Sequence, residues 1–233
     1  MRMVKFVIPA EVFTNFLKAI SIVDEARLHI TNDGLKVTAV EPNNVVMVIA
    51  NVKREALLTL NGEGIFGIEV KKLLDFAKLL NPTSNVEIKF GDEMKLISEK
   101  IDFSTAVIDE KSVRRDPKIP DEAIKRFTVK ARVDAREFRK AVKIARSIDE
   151  TVEIGRDQSL FVRASSELEK VKIQLEEDEG AGQGIAAYDA ERLLAMHFDQ
   201  KLTVELANDF LARLSSDYGL LSWAYLIAPR VRN

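Results

Sequence analysis

Val4–Val40, VKFVIPAEVFTNFLKAISIVDEARLHITNDGLKVTAV, lies without a gap over Val129–Ser165, VKARVDAREFRKAVKIARSIDETVEIGRDQSLFVRAS. Ten positions coincide, among them Ala10 with Ala135, Phe13 with Phe138, Lys18 with Lys143, and Asp24-Glu25 with Asp149-Glu150. An internal repeat sets the architecture before any local reading. The 233 residues therefore divide into two copies of one unit, each of roughly 110 residues and able to hold its own core. A feature present in both copies belongs to the scaffold, and one confined to a single copy is a candidate for function.

Working outward, each copy opens with a short alternating strand, Val4–Ile8 or Phe127–Ala131, whose inward residues recur every second position. A helix follows, with Val12, Phe13, Phe16, Leu17 and Ile20 at helical spacing in the first copy and Phe138, Ala141, Val142 and Ala145 in the second. Asn32-Asp33-Gly34 and Arg156-Asp157-Gln158 then join two strands, the first being a good hairpin signal. A second helix is expected over Val70–Leu80 and Tyr188–Phe198. Three strands close each copy: Val86–Phe90, Lys95–Glu99 and Ile101–Val107, answered by Leu202–Leu206, Leu211–Ser215 and Leu220–Ile227. The fold class is α+β, two duplicated domains of antiparallel sheet with two helices each. The domains span 1–108 and 126–233. The connector, 109–125, reads as an extended surface linker because Pro117 and Pro120 lack amide donors. Its apolar Ile119, Pro120 and Ile124 imply that part of it lies against protein.

Composition excludes several chemistries. With no cysteine there is no disulfide, thiol nucleophile or cysteine-based metal site. No apolar run approaches the ~18 residues of a membrane span, and Met1–Pro9 lacks the regions of a signal peptide, so an intracellular location is expected. His29 and His197, the two histidines, fall in different copies without a partner at ligand spacing, which argues against a metal. Gly62-Glu63-Gly64-Ile65-Phe66-Gly67 has the glycine spacing of a dinucleotide fingerprint, but Gly180-Ala181-Gly182-Gln183-Gly184 stands at the matching place. A glycine-rich loop before the second helix of each copy reads as duplicated scaffold, and Ile68–Val70 after the first looks like strand rather than a helix start, so no cofactor is expected. The run Glu176–Glu179 reads as a solvated turn, and no catalytic set assembles; the expectation is that the chain is not an enzyme.

Charge is segregated. The net value is −2, yet Asp134–Arg146 holds five basic residues, Arg136, Arg139, Lys140, Lys143 and Arg146, against Asp134 and Glu137. These cations fall on the face opposite Phe138, Ala141, Val142 and Ala145. A one-signed stripe repels itself unless an anion is near, and the lack of interleaved aromatics favours the phosphates of duplex nucleic acid over stacked single strands. Lys18 matches Lys143, and Lys71, Lys72, Lys78, Arg192 and Lys201 extend the basic surface.

In order and spacing, Asp24-Glu25-Ala26, Glu41-Pro42-Asn43-Asn44-Val45-Val46, Ile108-Asp109, Ile119-Pro120 and Leu226-Ile227-Ala228-Pro229-Arg230 resemble the sliding DNA clamps of the proliferating cell nuclear antigen family, archaeal type. The resemblance covers the whole chain. It implies the DNA clamp fold, assembled into a six-domain ring of three chains around duplex DNA, either three copies of this chain or a mixture with paralogous clamp subunits. Helices would line the hole, with Lys18, Lys72, Arg136, Arg139, Lys140, Lys143, Arg146 and Arg192 facing DNA. Strands at Lys100–Ile108 and Val171–Glu176 would join neighbours. A pocket at Val40, Asn44, Val45, Ile119, Pro120, Ile124, Leu226, Ile227, Ala228 and Pro229 would take short peptide motifs of DNA polymerase, clamp loader, flap nuclease and DNA ligase. The location implied is cytoplasmic and chromosome-associated. Two other readings remain: a checkpoint-type clamp subunit of the same fold, and, on the glycine pattern alone, a duplicated small-molecule-binding enzyme. Asp75 departs from the family, standing where a lysine often faces DNA.

Overall fold

The computed structural model describes residues 3–118 and 121–231. The first copy runs β1 (Val4–Pro9), α1 (Ala10–Ala19), β2 (Glu25–Thr31), β3 (Gly34–Val40), β4 (Val46–Lys53), β5 (Thr59–Asn61), β6 (Gly64–Glu69), α2 (Val70–Ala77), β7 (Asn85–Phe90), β8 (Glu93–Ser98) and β9 (Ile101–Ala106). A helical turn, α3 (Asp121–Ile124), precedes the second copy. That copy runs β10 (Val129–Asp134), α4 (Ala135–Arg146), β11 (Thr151–Arg156), β12 (Leu160–Ser165), β13 (Lys170–Gln174), β14 (Glu177–Ala181) and β15 (Gly184–Asp189). It ends with α5 (Ala190–Ala195), β16 (Lys201–Leu206), β17 (Ala212–Asp217) and β18 (Leu221–Ile227).

The chain divides into two units. One comprises the chain up to Pro42, Val48–Pro117 and Tyr218–Trp223; the other comprises Asn43–Met47, Lys118–Asp217 and the chain from Ala224. Strand order repeats from copy to copy. β5-β1-β7-β8-β9 answers β14-β10-β16-β17-β18, and β4-β3-β2-β6 answers β13-β12-β11-β15. The paired strands with recorded registers, such as β1 with β7 and β10 with β16, are antiparallel. Each lead helix buries the stripe its periodicity marks out: Val12, Phe13, Phe16 and Leu17 on α1, Phe138, Ala141, Val142 and Ala145 on α4. The Asp134 carboxylate starts α4 by accepting from the amides of Arg136 (2.8 Å) and Glu137 (3.1 Å).

The glycine loops behave as scaffold. Gly62 and Gly182 both have positive φ, and each runs close to the start of the lead strand of its copy. A Cβ on Gly182 would stand 1.7 Å from the Thr128 carbonyl oxygen. Both loops open into strands, β6 and β15, rather than into the helix end that a phosphate site needs.

Three local expectations change. α2 ends at Ala77, with Lys78 as its C-cap, and α5 is shorter than expected because Tyr188 and Asp189 belong to β15 and the Asp189 carboxylate caps α5 by accepting from the Arg192 amide. Glu176–Glu179 is not a solvated turn: Glu177 begins β14, and its carboxylate accepts from the Arg156 guanidinium (2.9 Å to Nε) and the Leu160 amide. The connector is not extended throughout, since Asp121–Ile124 makes a helical turn closed by Lys125 N–H donating to the Asp121 carbonyl. His29 is half-buried on β2, and its Nε2 lies 2.6 Å from Asp116 Oδ2.

Candidate nucleic-acid interface and docking surface

On α4 the periodicity that buries Phe138 and Val142 turns Arg136, Lys140, Lys143 and Arg146 outward, and all four are exposed. Among the described residues none of these four side chains makes an ion pair or a hydrogen bond. The anchored lead helix thus holds four uncompensated positive charges in one row, a surface that attracts polyanions irrespective of sequence.

Arg139 departs from that row. Its guanidinium donates to the carbonyls of Leu194 (2.7 Å) and Met196 (2.6 Å), the last acceptors of α5. A helix end leaves carbonyls without intrahelical partners, and here an arginine from a neighbouring helix satisfies two of them. Arg139 is half-buried, so it ties α4 to α5 with donors that the sequence reading had aimed at DNA. Arg192 is also half-buried, with its backbone amide on the Asp189 cap.

The helices of the first copy are basic in sequence and self-neutralised in structure. Lys72 pairs with Glu69 at 3.2 Å, Lys71 with Asp24 at 2.8 Å and Lys78 with Asp75 at 2.9 Å. The ammonium of Lys18 donates to Asn15 Oδ1 at 3.4 Å.

The docking residues divide. Val40, half-buried at the end of β3, lies in the first unit. Asn44, Val45, Ile124 and Leu226–Pro229 lie in the second. Ile119 and Pro120 fall outside the described residues. Asn44 is exposed with φ of 60°, and the Ala228 amide donates to the Val45 carbonyl at 2.9 Å. Leu226 and Ile227 are 5% and 0% exposed, so their side chains belong to the core. What this segment offers outward is Ala228 and Pro229. Arg230 fixes it, donating to Thr151 Oγ1 (2.8 Å) and Asp189 Oδ2 (2.5 Å), while its amide donates to the Ala187 carbonyl.

Another surface feature, a shallow cavity of about 400 Å³, opens beside Phe161 among Arg156, Arg163 and Lys172. Each of those cations is already paired, with Glu177, Glu153 and Asp157 respectively, so its net pull on an anion is small. Among the described residues no three His, Asp or Glu side chains gather as a metal-ligand set.

Sequence reasoning missed Arg139 as a cap and Arg230 as an anchor. The one available signal was Asp189 directly before a helix, which marks a cap and hence a carboxylate an arginine could reach.

No protein-family model matches the chain. Its similarity lies with whole proteins. It is 25% identical to the DNA polymerase sliding clamp of Methanocella arvoryzae, with 99% of this chain and 100% of that one aligned. A solved structure of the Archaeoglobus fulgidus proliferating cell nuclear antigen, bound to the C-terminal region of FEN-1, superposes with a TM-score of 0.90 at 24% identity over 99% of each chain. A PCNA2–PCNA3 complex from Sulfolobus tokodaii matches with a TM-score of 0.83 at 18% identity, covering 98% of this chain and 99% of that one. Fold and relatives define a DNA clamp. Over its whole length the chain is similar to archaeal DNA polymerase sliding clamps, and its fold is that of the proliferating cell nuclear antigen.

Proposed function

We propose that this chain is one third of a ring that encircles duplex DNA and tethers replication and repair enzymes as a non-catalytic processivity factor. The observation that carries this reading is the row of four unpaired cations on α4, on a chain similar to sliding clamps from end to end. Arg136, Lys140, Lys143 and Arg146 contact phosphates, with Lys18, Lys72 and Arg192 as secondary contacts and Arg139 supporting α4 from behind. The domains are 1–108 and 126–233, with 109–125 as connector. Closure uses sheet edges: β9 ends one strand order and β13 another, and each shows an alternating, largely exposed pattern. Exposed edges of this kind are removed when a head-to-tail contact closes into a cyclic trimer. The partner strand comes from a second copy or from a paralogous clamp, and sedimentation of the purified chain alone and with candidate paralogues decides between them.

The docking surface takes short peptide motifs of flap nuclease, DNA polymerase, DNA ligase and clamp loader at Val40, Asn44, Val45, Ile119, Pro120 and Ile124, with Ala228 and Pro229 beside them. Leu226 and Ile227 shape its floor from within the core. The protein works on the chromosome in the cytoplasm; among the described residues no helix is long and apolar enough to cross a membrane. Loading with a cognate loader onto circular and linear duplexes tests the central claim. Retention on circles with loss from linear ends is expected, and equal retention on both would overturn it.

A further inference from the structure

β9 and β13 each end a sheet, and along both of them exposed and half-buried residues alternate. On β9, Asp102, Ser104 and Ala106 are exposed, while Phe103 and Thr105 are half-buried. Phe103 stacks on Phe76 with ring centroids 4.8 Å apart, and Ile101 is 37% exposed. On β13, Lys170, Lys172 and Gln174 are exposed, while Val171 and Ile173 are half-buried. Successive side chains point to opposite faces of a sheet. In both edges, therefore, the even-numbered residues share the solvent face and the odd-numbered ones the more apolar face. Ile101 at an open edge is surface that a further strand would cover.

The two solvent faces carry opposite charges: Lys170 and Lys172 on β13, Asp102 on β9. Among the described residues the Asp102 side chain makes no ion pair or hydrogen bond, and Lys95 on the adjoining β8 is taken by Glu93 at 2.9 Å. Lys172 is held ready at its edge. Its Nζ lies 2.7 Å from Asp157 Oδ2 and 4.2 Å from the centroid of the Phe161 ring. An ammonium carries three donors, so Asp157 fixes the group and leaves donors for a second carboxylate. Arg163, opposite Lys172 on β12, is occupied by Glu153 and does not compete.

We propose that β13 receives β9 of a second copy of this chain in a single antiparallel register, selected by Asp102 of one copy lying opposite Lys172 of the next. This rests on the ring reading and names the partner that closes it. Antiparallel pairing continues the order of both sheets. Matching the apolar faces permits only registers that differ by two residues. In the chosen one Ile101 meets Ile173 and Phe103 meets Val171. A shift one way brings Lys100 against Lys172; a shift the other way leaves Lys172 on Ser104 and Asp102 on Gln174. The same charges reject like edges, because β13 against β13 sets lysine against lysine, and like charges directly opposite destabilise a pair of strands. The contact is therefore head to tail, and a paralogue without an acid at the Asp102 position fits β13 less well than this chain does.

Sedimentation of the full chain across a concentration series tests the pairing. The wild type is expected to assemble by itself into a three-chain species. Asp102→Lys sets like charges together without touching Asp157 and should weaken each contact about tenfold; Asp102→Asn, which removes the charge alone, should weaken it about threefold. Adding Lys172→Glu to Asp102→Lys exchanges the two charges at every contact of a ring of like chains and should recover most of the loss. Lys172→Gln in the same background releases Asp157 equally but brings no negative charge, and should recover clearly less. Unchanged assembly of Asp102→Lys, or equal rescue by Lys172→Gln and Lys172→Glu, overturns the pairing, while a three-chain wild type leaves the ring standing. A wild type that stays single and joins only a paralogous clamp overturns self-recognition and likewise keeps the ring. A chain that stays single in every mixture, and leaves circular duplex as fast as linear duplex, overturns both.

Discussion

The lead helices α1 and α4 share a stripe of buried residues and one matched lysine, Lys18 and Lys143, yet the surfaces around them are charged in different ways. In the first copy each of Lys71, Lys72 and Lys78 has a carboxylate within 3.2 Å, and Lys18 has an amide. In the second copy Arg136, Lys140, Lys143 and Arg146 have no such partner among the described residues. Asp75, where the family often has a lysine, neutralises Lys78 instead of adding a charge. A basic sequence count therefore does not measure a basic surface. Exposed ion pairs contribute little to stability, but each holds a lysine that would have to leave its carboxylate before meeting a phosphate. The grip on DNA is expected to reside mainly in α4.

The most forceful way to break that comparison is charge reversal. Lys140→Glu with Lys143→Glu should weaken duplex binding by about 100-fold at low salt and reduce the log–log salt slope by roughly 2, as expected when two phosphate contacts are lost. Lys18→Gln with Lys72→Gln should change affinity less than about twofold. Equal losses from the two pairs, read by fluorescence anisotropy across a salt series, would show that Asn15 and Glu69 do not restrain Lys18 and Lys72. The converse experiment sharpens the point: Glu69→Gln with Asp75→Asn should tighten binding.

Stability offers the next contrast. Gly182→Ala should destabilise by about 2–4 kcal/mol, because φ of 78° is unfavourable for a side chain and the Thr128 carbonyl blocks the Cβ. Gly62→Ala should cost less, since the nearest atom to its Cβ would be 3.2 Å away. Urea unfolding of the two variants tests the order. Arg139→Ala should destabilise by about 1–3 kcal/mol through two orphaned carbonyls at the end of α5. It should also alter the salt slope less than Lys140→Ala does. If the two alanine variants reduce the slope equally, Arg139 reaches DNA after all.

What could be read from the residues, and what could not, divides along local and distant chemistry. The repeat, the stripe of α4 and the glycine loops follow from spacing within a few residues, and the structure reproduces them. β14 was hidden because an acidic run carries no strand signal of its own. It becomes a strand edge only where Arg156, 21 residues away, supplies counter-charge to Glu177. The role of Arg139 depends on carbonyls 55 and 57 residues on, and the partner of His29 lies 87 residues on. Leu226 and Ile227 show the opposite limit. An apolar pair at a strand end is equally suited to a pocket or a core, and only burial distinguishes the two.

The smallest effect concerns the hairpin turns. The first copy turns at Asn32-Asp33 into Gly34, whose φ of 124° an L side chain would strain. The second has Ser159 at the matching place, and a carboxylate does the work instead. Asp157 accepts from the Gln158 and Ser159 amides and from Lys172 Nζ at 2.7 Å. The Lys172 hydrogen bond is the largest influence, followed by the Gln158 amide, and together they bring the Asp157 carboxyl down to about 2. Because the folded form holds the proton more weakly than the unfolded one, whatever Asp157 contributes is present above the ordinary carboxylate range and lost as pH falls through about 2. A carbon-detected titration should find that midpoint, and Lys172→Met should raise it toward the usual ~3.9. A midpoint unmoved by Lys172→Met would mean that the backbone amides alone hold the turn, making it a self-contained substitute for the glycine of the first copy.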